Sequence, residues 1–139
     1  MSVLSALAEA IRYRPIDIEP ARLTAVRQRL DASGLADRLV GIRYFEDDQG
    51  RTNLAIDEVG GALLVVSQFT LLADLRRGRR PGFSMAAPPD VAEPIVERFV
   101  ERLREGGRSV ATGRFGAEME VELVNDGPFT LVIDAGAED

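Results

Sequence analysis

Ala62-Leu63-Leu64-Val65-Val66-Ser67-Gln68-Phe69-Thr70-Leu71 is the stretch that decides how this chain folds. Its first five residues show no polar alternation, so the run 62–69 is expected to be a central strand covered on both faces. Ser67, Gln68, Phe69 and Thr70 follow the apolar run, where a strand end would hold their backbone N–H groups in fixed directions. Such groups can stabilise an oxyanion, and one donor is commonly worth about 3 to 4 kcal/mol in a transition state.

Outward from this run the period remains that of strands. Residues 42–45 and 52–56 read as strands, joined by Asp47-Asp48-Gln49-Gly50 and followed by Asp57-Glu58-Val59-Gly60-Gly61, both rich in turn formers. Asp90, with Glu93 three residues on, predicts a capped helix start carrying Val91, Ile95, Val96, Phe99, Val100 and Leu103 on one side, closed by Gly106-Gly107. Glu118, Glu120 and Glu122 alternate with Met119, Val121 and Leu123, the pattern of a strand with one wet face, and 131–134 supplies a last strand. The N-terminal third has another character. Leu4, Leu7, Ala8 and Ile11, and then Leu23, Val26 and Leu30, have helical spacing. Ser33-Gly34 is expected to close the second helix, with a further turn or two over 35–40, and the proline-bounded 13–20 is at best a short extended linker. All six phenylalanines lie at or after position 45, which places the aromatic core in the later part of the chain.

Composition narrows the chemistry. A chain of 139 residues that is 45% apolar fits one globular domain. It has no cysteine and no histidine, so thiol catalysis, an imidazole base and the commonest zinc ligand are all excluded. No lysine can replace them, since all 17 basic residues are arginine. Thr70 and Ser67 therefore lack an adjacent base to activate them as nucleophiles, and positioning roles suit Gln68, Phe69 and Thr70 better; packing in the core is the other reading of Phe69. The net charge of -6 argues against general nucleic-acid binding. The densest basic cluster, Arg76, Arg77, Arg79 and Arg80, reads either as a solvated loop or as a phosphate contact. The first residues lack a basic leader and no stretch approaches membrane-spanning length, which predicts a cytoplasmic protein with no membrane contact.

The second informative string is Asn125-Asp126-Gly127-Pro128-Phe129-Thr130. Alone it is an ordinary turn; glycine tolerates backbone angles closed to other residues, and an X-Pro bond can be cis. Together with Ser67-Gln68-Phe69-Thr70-Leu71 it resembles the paired motifs of the D-aminoacyl-tRNA deacylases. The register begins near Asp37-Arg38-Leu39 and runs through Asn53-Leu54, Val59-Gly60-Gly61, Gly78-Arg79-Arg80-Pro81 and Gly113-Arg114-Phe115-Gly116 to about Asp134. Family members open with strands that include a Gln-Arg-Val string, and nothing in residues 1–36 matches it.

The resemblance implies an α+β fold, mainly an antiparallel barrel-like sheet with flanking helices, over a single domain 1–139. Its N-terminal strands would be replaced by a divergent helical segment, 1–36. It implies an ester hydrolase without cofactor or metal, acting on a tRNA 3' end that carries a D-amino acid or glycine, with the 2'-hydroxyl of the terminal adenosine assisting. The chain would be a homodimer in which a cis Gly127-Pro128 enters the partner's pocket and its carbonyls exclude L-aminoacyl groups. Phe115 and Met119 match positions that line the adenine pocket, although core packing accounts for both on sequence alone. Phe129 stands where the family has valine, which would narrow or tilt the pocket. An inactive deacylase-like binding module is the alternative function.

Overall fold

In the computed structural model the described residues are 32–133, together with the backbone of 16–18. The elements in chain order are β1 (Ile16–Ile18), α1 (Ala32–Gly41), β2 (Phe45–Glu46), β3 (Thr52–Leu54), β4 (Leu63–Val65), α2 (Pro89–Arg104), β5 (Val110–Thr112) and β6 (Leu131–Ile133), with a 3-10 turn over Phe69–Leu72. The fold is thus mixed α and β.

The two helices make the core. Ala32, Leu35, Ala36 and Leu39 recur at helical spacing along one face of α1 and are buried with Phe99, Leu103 and Ile133. Leu63, Val65 and Val110 pack against this cluster, so one face of the β4–β5 pair is laid on the helices. A fork of two 2.9 Å hydrogen bonds from Arg102 to Asp37 ties α2 to α1. Arg108 forks onto Asp57 at 2.7 Å and donates to the Leu103 carbonyl at 3.2 Å, joining the end of α2 to the turn before β4.

β4 and β5 are parallel neighbours, with Leu63 opposite Val110 and Val65 opposite Thr112. Parallel strands require a crossover, and α2 lies on that crossover. β1 and β6 form a second parallel pair, Ile16 opposite Leu131. Among the described strands β2 and β3 are the antiparallel pair. Their turn is held by Asp47, whose carboxylate accepts from the N–H groups of Gln49 at 2.9 Å and Arg51 at 3.0 Å, with Gly50 at φ +72°. Among the described residues the sheet is therefore three two-stranded pairs, two of them parallel, and no barrel closes. The mainly antiparallel, barrel-like sheet expected from the resemblance is not seen among the described residues; at β4–β5 the parallel pairing follows from helix α2, which returns the chain to the same end of β4.

Other expectations change too. Ser33 and Gly34 lie in the first turn of α1 and do not end a helix; the apolar face at 32, 35, 36 and 39 outweighs the cost of about 1 kcal/mol that glycine brings. The boundary at residue 36 accordingly falls inside α1. Residues 16–18, within the proline-bounded 13–20 expected to be extended, form a strand; the stripes over 4–11 and 23–30 lie outside the described residues. The strand predicted over 62–69 is confined to Leu63–Val65, is half-buried, and has β5 as its described neighbour. α2 starts at Pro89 without a side-chain cap, and Asp90 sits in its first turn. Proline suits that position because its missing N–H would have no partner there. Gly107, at φ +74°, ends the helix as expected. Residues 118–123 are not assigned to a strand. Of the phenylalanines only Phe99 enters the buried core, which is mainly aliphatic.

Candidate active site

Two connections leave the same end of the β4–β5 pair. Ser67, Gln68, Phe69 and Thr70 follow β4, and residues 113–119 follow β5. The Gly113 N–H donates to the Val65 carbonyl at 2.9 Å, which holds the two exits side by side. The crevice beyond the carboxyl ends of parallel strands is a recurrent place for ligands, because loops can converge there without interrupting the ladder.

On the first connection Ser67 is half-buried, and Gln68, Phe69 and Thr70 are exposed. The Gln68 side-chain amide donates to the Thr70 hydroxyl, fixing both groups relative to one another. The 3-10 turn begins at Phe69, and the N–H groups of Phe69 and Thr70 precede any acceptor within the turn. No other acceptor meets them among the described residues. They are two adjacent main-chain donors open to a ligand. Phe69 is 56% exposed and meets Phe83 edge-on, with ring centroids 5.0 Å apart, so it is not a core residue.

On the second connection Phe115 is half-buried and Met119 is 41% exposed. The Arg114 N–H lies 3.3 Å from the Met119 sulfur. The place a Gly113 side chain would take is occupied by the Met119 Sδ and Cε, 3.1 Å from an idealised Cβ, with Val66 Cγ1 at 3.5 Å. Glycine thus lets a thioether lie over the strand exit. Met119 thus lies over the exit of β5, and its exposure leaves it able to contact a ligand.

Gly127 and Pro128 are exposed, with the Gly127-Pro128 bond cis as the resemblance implies. Nothing within the described residues hydrogen-bonds them to 67–70. Phe129 stacks on buried Tyr44, centroids 6.3 Å apart, and Tyr44 in turn lies against Phe45 at 4.6 Å. Burial, with a smaller contribution from Asp57, raises the Tyr44 phenol above its usual range. A side chain on Gly127 would meet the Asn125 amide nitrogen at 2.9 Å and the Phe129 backbone nitrogen closer still.

The arginine cluster occupies the loop after the 3-10 turn. Asp74 and Gly82 close this loop through reciprocal backbone hydrogen bonds of 2.7 and 3.0 Å. Arg76 forks onto the Asp74 carboxylate at 2.9 and 2.8 Å and its backbone N–H donates there at 2.9 Å. The fork, and then the backbone bond, lower the Asp74 carboxyl to about 2. Asp74, Arg76, Arg77, Arg80, Gly82 and Ser84 line a cavity of about 540 Å³. Arg79 is outside that lining. Asp74 and Ser84 were not singled out from the sequence; the Asp-x-Arg spacing, which allows a carboxylate to take both the main chain and the guanidinium two residues on, was the available signal. Among the described residues no group of three or more carboxylates is placed to hold a metal, and no helix is long and apolar enough to cross a membrane.

Residues 24–134 match the family model described as D-Tyr-tRNA(Tyr) deacylase. The resemblance therefore begins before residue 37 and includes part of the segment expected to diverge. The chain is 61% identical to a D-aminoacyl-tRNA deacylase of Symbiobacterium thermophilum, over 75% of this chain and 69% of that protein. It is 59% identical to one of Anaeromyxobacter dehalogenans, over 76% and 70%. Among solved structures, the c-Myc DNA unwinding element binding protein superposes with a TM-score of 0.63 at 34% identity, covering 70% of this chain and 67% of that one. Matched over most of its length by the model and by these relatives, the chain belongs to the D-Tyr-tRNA(Tyr) deacylase family, a family of hydrolases.

Proposed function

We propose that this protein hydrolyses the ester bond of D-aminoacyl-tRNA, and of glycyl-tRNA, releasing the free amino acid. The observation that carries the reading is the convergence of residues 67–70 and 113–119 at one end of the β4–β5 pair in a chain of this family. In this reading the N–H groups of Phe69 and Thr70 receive the oxyanion as the ester is attacked. Gln68 orients the Thr70 hydroxyl, which positions the substrate. The 2'-hydroxyl of the terminal adenosine assists the attacking water, since the chain supplies no imidazole or amine base. Phe115 and Met119 receive the adenine face.

Chirality falls to Gly127 and Pro128. Their exposure in one subunit suits presentation to a second, so the working unit is a homodimer in which their carbonyls deny space to an L side chain. The exposed apolar side chains of 119–124 supply a surface for that association. The whole chain serves as one deacylase-like domain in the cytoplasm, where charged tRNA is found.

The test is incubation with D-tyrosyl-, glycyl- and L-tyrosyl-tRNA while ester cleavage is followed. Cleavage of the first two with the L-ester nearly inert is expected. Equal rates on both enantiomers, or no cleavage at high enzyme concentration, would overturn the reading and restore the inactive binding module.

A further inference from the structure

We infer that the loop 74–82 is an RNA-phosphate clamp, latched by Asp74 and set at a fixed spacing from the 67–70 segment; the inference extends the tRNA reading above. Three observations converge on it. The loop is pinned at its base by the Asp74–Gly82 backbone pair. Arg76 is committed to Asp74, whereas no carboxylate pairs with Arg77, Arg79 or Arg80 among the described residues. Arg77, Arg80 and Ser84 line one cavity of about 540 Å³ together with Gly82 and the Asp74–Arg76 pair, so that two arginines without a carboxylate partner among the described residues and a serine border one space. That is donor chemistry for a phosphodiester: guanidinium forks match phosphate oxygens, and a hydroxyl adds a further donor.

The clamp is joined to the candidate active site on both sides of the loop. On one side Leu72 and Ala73 run directly from the 3-10 turn into Asp74, with the Ala73 N–H bonded to the Thr70 carbonyl at 3.1 Å. On the other, Phe83 follows Gly82 and packs its ring on Phe69. A phosphate held by Arg77 and Arg80 therefore sits at a set distance from the main-chain donors of Phe69 and Thr70. In a protein of net charge -6, this local positive site gives an RNA strand one place to dock.

Asp74 acts as a positioning residue, and its test has a definite sign. Charge alone predicts that Asp74→Asn, which removes a negative charge beside the arginines, tightens RNA binding. A latch predicts weaker binding, because Arg76 loses its fork and the cavity wall loses its order. Binding of uncharged tRNA is measured across salt concentrations, alongside hydrolysis of the charged form. Arg77→Ser and Arg80→Ser are each expected to weaken tRNA binding several-fold. Each should also reduce the slope of log affinity against log salt by about 0.7 to 0.9, the value for one lost phosphate contact. KM should rise and kcat stay within about twofold. Inorganic phosphate is expected to compete with tRNA on the wild type, and less on the double variant.

Wild-type affinity and slope in both arginine variants, or tighter binding by Asp74→Asn, would overturn the clamp. Arginine-dependent tRNA binding without hydrolysis of any ester would overturn the proposed activity while supporting the clamp. Hydrolysis with unchanged KM in the arginine variants would overturn the clamp alone.

Discussion

Helix α2 and residues 118–124 both present apolar side chains at regular intervals, and they end in opposite states. α2 buries Phe99, Val100 and Leu103, the last completely, and is tied to α1 through Arg102 and Asp37. Residues 118–124 leave Met119, Val121, Leu123 and Val124 exposed, Val124 at 79%. A helix satisfies its own backbone and needs a partner on one face. A strand needs a neighbour for its backbone as well as for its side chains, and 118–124 carry no strand assignment. Regular apolar spacing thus reports what a segment prefers; the partner decides whether the preference becomes an element.

The largest expected effect tests the buried side of this comparison. Leu103→Ala should cost about 2 to 5 kcal/mol of stability, the range for truncating a buried leucine in a core that cannot fully collapse. Leu123→Ser should leave the stability of an isolated subunit nearly unchanged. Denaturant melts at several protein concentrations separate the two. If Leu123→Ser lowers the midpoint only where wild-type stability depends on concentration, residues 119–124 belong to the proposed dimer. A concentration-independent loss would mean that the side chain is covered within one subunit.

Gly127→Ala comes next. Any Cβ at 127 is driven against the Asn125 amide and the Phe129 backbone, so the turn must shift, although Phe129 stays anchored on Tyr44. A fall of at least tenfold in kcat/KM on a D-ester is expected, together with poorer discrimination against the L-ester. The melt should change far less than with Leu103→Ala, since the turn lies outside the core. Unaltered rate and selectivity would remove Gly127 from the site.

Legibility from sequence followed the same division. The α2 stripe and the Gly107 stop were readable because helix formation is local, and its end here rests on one positive-φ glycine. α1 was misread at Ser33 and Gly34 because local propensity argued for a stop, and only burial of Leu35, Ala36 and Leu39 against α2 reverses it. The 118–123 alternation was visible, but pairing depends on sequence-distant backbone that the alternation does not specify. At the site, residues 67–70 and 115–119 were recognisable as strings, yet their departure from the same end of one strand pair depends on the parallel register of β4 and β5, sequence-distant strands joined through α2. Asp74 and Ser84 were missed because the cavity they share with Arg77 and Arg80 exists only once the loop closes.

Thr70→Ala is expected to lower kcat about tenfold, the loss of one hydrogen bond worth about 1 to 1.5 kcal/mol. Mass spectrometry of quenched reactions should find no acyl ester on Thr70 or Ser67 in the wild type. A trapped ester would reverse the assignment from positioning to nucleophile.

The acid behaviour of Asp74 gives a smaller effect. Its folded-state carboxyl, at about 2, lies below the ordinary value of 3.8. Its contribution is therefore full above about pH 4 and is lost as pH falls towards 2. The Arg76 side-chain N–H signal should keep its bonded shift at pH 4 and lose it only near 2. Loss of that shift near pH 4 would show that the latch does not hold in solution.

Gly113→Ala should have the smallest effect, and it tests the exposed side of the comparison most finely. The added methyl meets only the end of the Met119 side chain at 3.1 Å and Val66 at an ordinary 3.5 Å. Met119 is flexible and partly exposed, so it can give way by a few tenths of an ångström without disturbing β5. Stability should stay within about 0.5 kcal/mol, as for a surface substitution away from the core. If Met119 contacts the adenine, its displacement should appear as a two- to threefold rise in KM with kcat unchanged. A KM identical to wild type would place Met119 outside the substrate contact, and a lower kcat would mean that the β5 exit itself moves and carries residues 67–70 with it.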